Sequence, residues 1–178
     1  SGVYNSTIGY VSQSGVQMRV NDSVSYDTVL SIDAGDSDDI EIHRGAFEGQ
    51  RFLFASGAQS IVVDDASFSG STTEQRYAMD VRCTSACDFN ELSMTNVSKA
   101  IQLTGNGPFQ FDALDISNAA RGIDIVGTGD LTLSQTSIEA TESALDSQGA
   151  TTMVHDSFFN LTSNSRAISL VDRKSTRL

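Results

Sequence analysis

Asp124 and Asp146 lie 22 residues apart in two similar segments, ARGIDI at 120–125 and ESALDS at 142–147. If their carboxylates stand side by side, like charges meet, and water, a cation or a base must screen them. Arg121, three residues before Asp124, is one such base. Calcium is another partner, because it takes carboxylate oxygens from flexible sites. Asp80 holds the corresponding place in the segment YAMDV. A second acidic group, Asp64, Asp65, Glu91 and Asp112, follows another set of short apolar segments, with His43 and Arg44 one segment earlier. Paired carboxylates a few ångströms apart are what glycoside hydrolysis uses, one as acid and one as base or nucleophile. Which of these residues meet depends on the elements that carry them.

Those elements repeat. Ile101, Ile123 and Leu145 are the first apolar positions of SKAIQL, ARGIDI and ESALDS, each 22 residues from the next. The same strand reads back through Met79 and Val81, Phe52 and Phe54, and Leu30 and Ile32, and forward to Ile168 and Leu170. Another strand in each repeat has two alternating apolar residues and a third five positions on. Its copies are Ile40, Ile42 and Phe47; Ile61, Val63 and Phe68; Phe109, Phe111 and Ile116; and Leu131, Leu133 and Ile138. Val16, Met18, Val20 and Val24 form an earlier copy, and Met153 with Phe158 or Phe159 a later one. Alternation with period two is that of strands, and no stretch carries a helical period. Turns such as LTGNGPF and IVGTGDL separate the strands. A fixed period in the twenties marks a solenoid, in which each repeat buries its apolar face against its neighbours.

The pattern resembles the right-handed parallel β-helix family, the fold of pectate lyases, polygalacturonases and phage tailspikes. The resemblance covers roughly residues 16–170. It implies a single all-β domain over 1–178 with about seven coils, of which 171–178 form a basic tail after the repeats. Stacked Asn side chains are common in such solenoids, and Asn96, Asn118 and Asn160 sit two residues after the third apolar position. No polygalacturonase set is present: there is no Gly-His-Gly, no Arg-Ile-Lys and no paired Asn-Thr-Asp.

Within this frame the residue between the two inward positions faces solvent. Down the coils that column reads Ser31, Leu53, Asp80, Gln102, Asp124, Asp146 and Ser169. Asp124 and Asp146 are then neighbours, as a solvated pair or a calcium site, and Leu53 is an exposed contact residue. The insertion GSTTEQRY at 70–77 lengthens one coil to 27 residues and places Tyr77 as an aromatic platform. Tyr4, Tyr10 and Tyr26 are further platforms for a sugar ring, or packing over a coil edge.

Cys83 and Cys87 fall in the turn that elsewhere carries glycines. A disulfide there closes a tiny loop, for which chain entropy gives about 2 kcal/mol. Free thiols and a metal site are the alternatives. A disulfide implies a secreted or cell-surface location. A net charge of −12 opposes nucleic acid and anionic membranes as partners, and no apolar run is long enough to span a bilayer. Neither end carries an evident cap, which invites homo-oligomeric contact through open strand edges. The expectation is a non-catalytic binding or structural module that contacts polysaccharide or itself, with no cofactor beyond calcium. The alternative is a carbohydrate-active enzyme, a lyase or hydrolase, using the surface carboxylates.

Overall fold

In the computed structural model of the protein, the chain winds as a parallel β-solenoid of about seven turns, roughly 22 residues apart. Residues 2–4, 6, 8–12, 15–148, 151–162 and 166–171 are described, with side chains as far as 169. The strands are β1 (Gly2–Tyr4), β2 (Ile8–Val11), β3 (Met18–Gly35), β4 (Asp39–Ser69), β5 (Tyr77–Gly105) and β6 (Phe109–Asp112). They continue as β7 (Asp115–Gly127), β8 (Leu131–Ser134), β9 (Ser137–Gln148), β10 (Thr152–His155), β11 (Phe158–Leu161) and β12 (Arg166–Val171). All pairings between them are parallel.

Strands as long as β4 are not straight. They turn corners where one residue adopts a left-handed backbone while its neighbours keep their ladder bonds to adjacent coils. One such corner recurs in every coil, at Asp22, Arg44, Asp65, Glu91, Ala113, Gln135 and Asp156, all with φ between 46° and 56°, and Asp27, Asn96 and Asn118 share the conformation elsewhere. Outside glycine this conformation costs about 1–2 kcal/mol per residue. The ladder on either side holds it, as Asp64 pairs with Asn90 and Ala66 with Leu92. Each coil therefore has three walls: one before this corner, one after it, and a third that carries Asp124 and Asp146.

The interior is a stack of apolar layers. Phe89 and Phe111, in register on the first wall, stack with centroids 4.5 Å apart. Phe47, Phe52 and Phe68 form a second aromatic run, with centroid distances of 4.9 and 5.8 Å. Register confirms the third apolar position: Phe68 pairs with Met94, Met94 with Ile116, Ile116 with Ile138, and Ile138 with Phe159. At the opposite end the stack turns polar. Ser25, which pairs with Phe47, is buried and donates to the Ser31 hydroxyl at 2.9 Å.

Several expected positions shift. On the third wall two consecutive residues face inward, so strict alternation fails there. Ser31, Phe52, Ala78, Ala100 and Ala144 are buried, and so are their successors Ile32, Leu53, Met79, Ile101 and Leu145. Leu53 pairs with Ile32 and Met79 and is an interior residue, not an outward one. Phe54 takes the outer place, beside Asp33 and Asp80. This register also makes the inserted coil 26 residues long, from Leu53 to Met79.

In the last coil Thr152 and Val154 point inward, and Met153 is 47% exposed. In the first, Val16 is exposed and Ser25 replaces Val24 at the third inward place. Asn118 donates to the Asn96 carboxamide oxygen at 2.6 Å, one rung of the expected ladder. Asn160 pairs with Glu139 instead and stands outside it.

Cys83 and Cys87 are disulfide-bonded and fully buried. The next coil passes close to this turn: a Cβ on Gly105 would meet the Cys83 carbonyl oxygen at 2.2 Å. A side chain is excluded at Gly105, where φ is +112°.

The corrected register makes a direct prediction. Equilibrium urea unfolding should show Leu53→Ala costing about 2–5 kcal/mol, as expected for a filled interior site. Phe54→Ala should cost less than half of that. The reverse order would contradict the assignment.

Candidate functional site

The third wall carries two outward columns three residues apart. One carries the acids: Phe54 pairs with Asp80, Gln102 with Asp124, Asp124 with Asp146, and Asp146 with Ser169. The other is basic and aromatic. Lys99 pairs with Arg121, Arg121 with Ser143, and Ser143 with Arg166, while Arg51 and Tyr77 belong to the preceding coils. Arg121 stands three residues from Asp124 of its own coil, and Arg51, Lys99 and Arg121 each belong to the coil before an acid of the other column: Asp80, Asp124 and Asp146.

Arg121 uses both neighbours. Its Nη1 lies 3.0 Å from Asp124 Oδ2, and its Nη2 lies 3.6 Å from Asp146 Oδ2. Arg51 makes the looser equivalent, 3.7 Å from Asp80 Oδ2, and its guanidinium sits 5.2 Å from the Phe54 ring centroid. Burial raises Asp80 above the usual carboxylate range against the pull of Arg51, and burial also lowers Arg51.

Tyr77 arrives at this wall from the insertion. The loop before it is held by its own polar groups: the Ser71 and Thr73 hydroxyls are 2.8 Å apart, and the Arg76 amide donates to Glu74 Oε1 at 3.0 Å. The Tyr77 hydroxyl reaches across the coil of Lys99 and donates to Asp124 Oδ2, 47 residues on. Lys99 Nζ lies 5.5 Å from the Tyr77 ring centroid. Burial, and next the Asp124 hydrogen bond, push the phenol well above its ordinary value.

Tyr77, Arg121, Asp124, Ile125, Val126, Asp146 and Gln148 line a half-open pocket of about 220 Å³. The Asp124 side chain is 8% exposed and that of Asp146 23%. Asp124 Oδ1, Asp146 Oδ1 and the Ser143 hydroxyl are buried without a hydrogen-bond partner among the described residues. Polar atoms in that state are rare in folded proteins, since each carries an uncompensated desolvation cost of about 1–3 kcal/mol.

Four of the five residues singled out for binding thus come together: Tyr77, Arg121, Asp124 and Asp146. The fifth, Asp80, is paired with Arg51 and does not line the pocket. Gln148 and Lys99 were not anticipated. The spacing that would have found Lys99 is the three-residue offset shared by Lys99 with Gln102 and Arg121 with Asp124.

The second acidic group sits elsewhere. Asp64 and Asp112 are on the first wall with Asn90 between them, and Asn90 donates to Asp64 Oδ1 at 2.8 Å. His43 Nδ1 is 3.6 Å from Asp64 Oδ2. Asp65 and Glu91 are exposed left-handed corner residues. Among the described residues no three acidic, histidine or cysteine side chains form a metal-binding group. The chain matches no protein-family model, no curated protein and no solved structure.

The Tyr77 clamp makes stability depend on alkaline pH. A phenol whose folded pKa is raised contributes stability in full below its unfolded value near 10.0, and that stability is lost as the pH rises above it. Comparing wild type with Tyr77→Phe by denaturant unfolding isolates this contribution. The difference between the two should be constant up to about pH 9 and shrink above pH 10. A pH-independent difference would show that the hydroxyl is not held as described.

Proposed function

We propose that this protein is a non-catalytic binding module of the pectate-lyase-like solenoid kind, acting outside the cytoplasm, whose third wall holds polysaccharide. The observation that supports this most is the pocket on that wall. It groups an aromatic ring, a guanidinium, two carboxylates and a carboxamide, the side chains that exchange directed hydrogen bonds with sugar hydroxyls. Two of its acceptor atoms have no donor within the described chain. The wall repeats along the axis at about 4.8 Å per coil, which suits an extended polymer better than a compact metabolite. The disulfide supports an oxidising location.

The test is a binding panel of neutral, acidic and amino-bearing soluble polysaccharides by affinity electrophoresis, with product ends assayed in parallel. At least one class should be retarded without gaining new chain ends. Gln148→Ala, an exposed change at the pocket rim, should weaken that binding about fivefold, the equivalent of one ordinary hydrogen bond. Absence of binding across the panel would overturn the reading. New chain ends, lost on changing Asp124 or Asp146 to Asn, would replace it with an enzyme.

A further inference from the structure

Two carboxylates share one guanidinium in the pocket, so one negative charge there is unbalanced. The cations and the phenol nearest the two acids are engaged. Arg121 spans both acids, the Tyr77 hydroxyl is given to Asp124, and Arg51 is at Asp80. Lys99 lies against the Tyr77 ring and makes no ion pair among the described residues. What remains, among the described residues, is a nine-tenths buried carboxylate, Asp124, with one unpartnered oxygen, beside the more exposed carboxylate of Asp146, which also has one.

Three kinds of ligand could satisfy such a pair. Calcium asks for six to eight oxygens, and two carboxylates that already share a guanidinium supply few of them. A neutral hydroxyl donates but leaves the charge unbalanced. A primary ammonium brings three donors and one positive charge, and charge-assisted bonds are about twice as strong as neutral ones.

We propose that the pocket binds the ammonium group of an amino sugar carried in a polymer, an inference that rests on the polysaccharide reading above. Asp146 is the acceptor that meets it first. It is the more exposed of the two acids, and its contact with Arg121 is the longer. Its carboxylate lines the pocket, and χ2, a soft torsion in aspartate, lets it turn between Arg121 and a ligand there. Asp124 stays fixed behind it by Tyr77 and Arg121 and supplies field. A uronate would meet the same two carboxylates as a like charge and be refused.

Calorimetric titration with a glucosamine oligomer, its N-acetylated counterpart, an unsubstituted glucan oligomer of equal length, a lysine peptide and calcium chloride tests this. The glucosamine oligomer should bind at least tenfold more tightly than the other four. Asp146→Asn should remove that margin. Asp88→Asn, which deletes an exposed charge on the first wall, should leave it intact and so separate the pocket from attraction to a protein of charge −12. Equal affinity for the three oligosaccharides would overturn the amine inference and leave the binding reading standing. Tighter binding of the lysine peptide or of calcium would overturn the amino sugar as the source. No binding of any oligosaccharide would overturn both readings.

Discussion

Each coil of this protein is hydrogen-bonded in parallel to the next, so a residue's nearest neighbour in space is its counterpart about one repeat further along the chain. Successive side chains then stand about 4.8 Å apart on whichever wall they occupy. Inside, that spacing stacks Phe89 on Phe111. At the corners it lets Asn118 bond to Asn96, and it holds ten of the described non-glycine residues in a left-handed backbone. On the third wall it sets Asp124 against Asp146, a contact that side-chain chemistry would not favour without help.

The help comes from one cation and one loop. Arg121 lies between the two acids, and Tyr77 descends from the inserted segment onto Asp124. The compensation is incomplete, since an oxygen on each carboxylate keeps no partner. Sites that break a local rule without an internal remedy are where function is expected, because binding or catalysis tolerates strain that folding alone would remove. The other polar columns are better resolved. Arg44 makes two bonds to Asp22, at 2.6 and 2.9 Å, and Arg19 bonds to Glu41 at 2.7 Å.

The period and the interior of the middle coils were legible because Ile, Leu and Val recur there at a fixed spacing. The Asp124–Asp146 contact followed from that period alone. The Phe52-Leu53-Phe54 run was not legible in the same way. Three large apolar residues satisfy either register, and the wall has two consecutive inward places that period-two alternation does not anticipate. The answer lay in later coils, where Ala78, Ala100 and Ala144 mark the first of those places with small residues. The corners were hidden for another reason. Glycine and asparagine signal a left-handed turn, whereas Arg44, Glu91 and Gln135 do not, and it is the ladder that imposes the conformation. The reach of Tyr77 over two coils depends on how the loop folds against the wall, which spacing cannot express.

The central claim is that the two carboxylates are held together for something outside the chain rather than for the fold. The most direct measurement is the stability of Asp146→Asn against wild type at neutral pH in the absence of ligand. Removing that charge relieves a like-charge contact and leaves Arg121 paired with Asp124, so the substitution should raise stability by about 0.5–2 kcal/mol. A loss of 1 kcal/mol or more would mean that Asp146 serves the fold, and the account of the pocket as a recognition site would be contradicted.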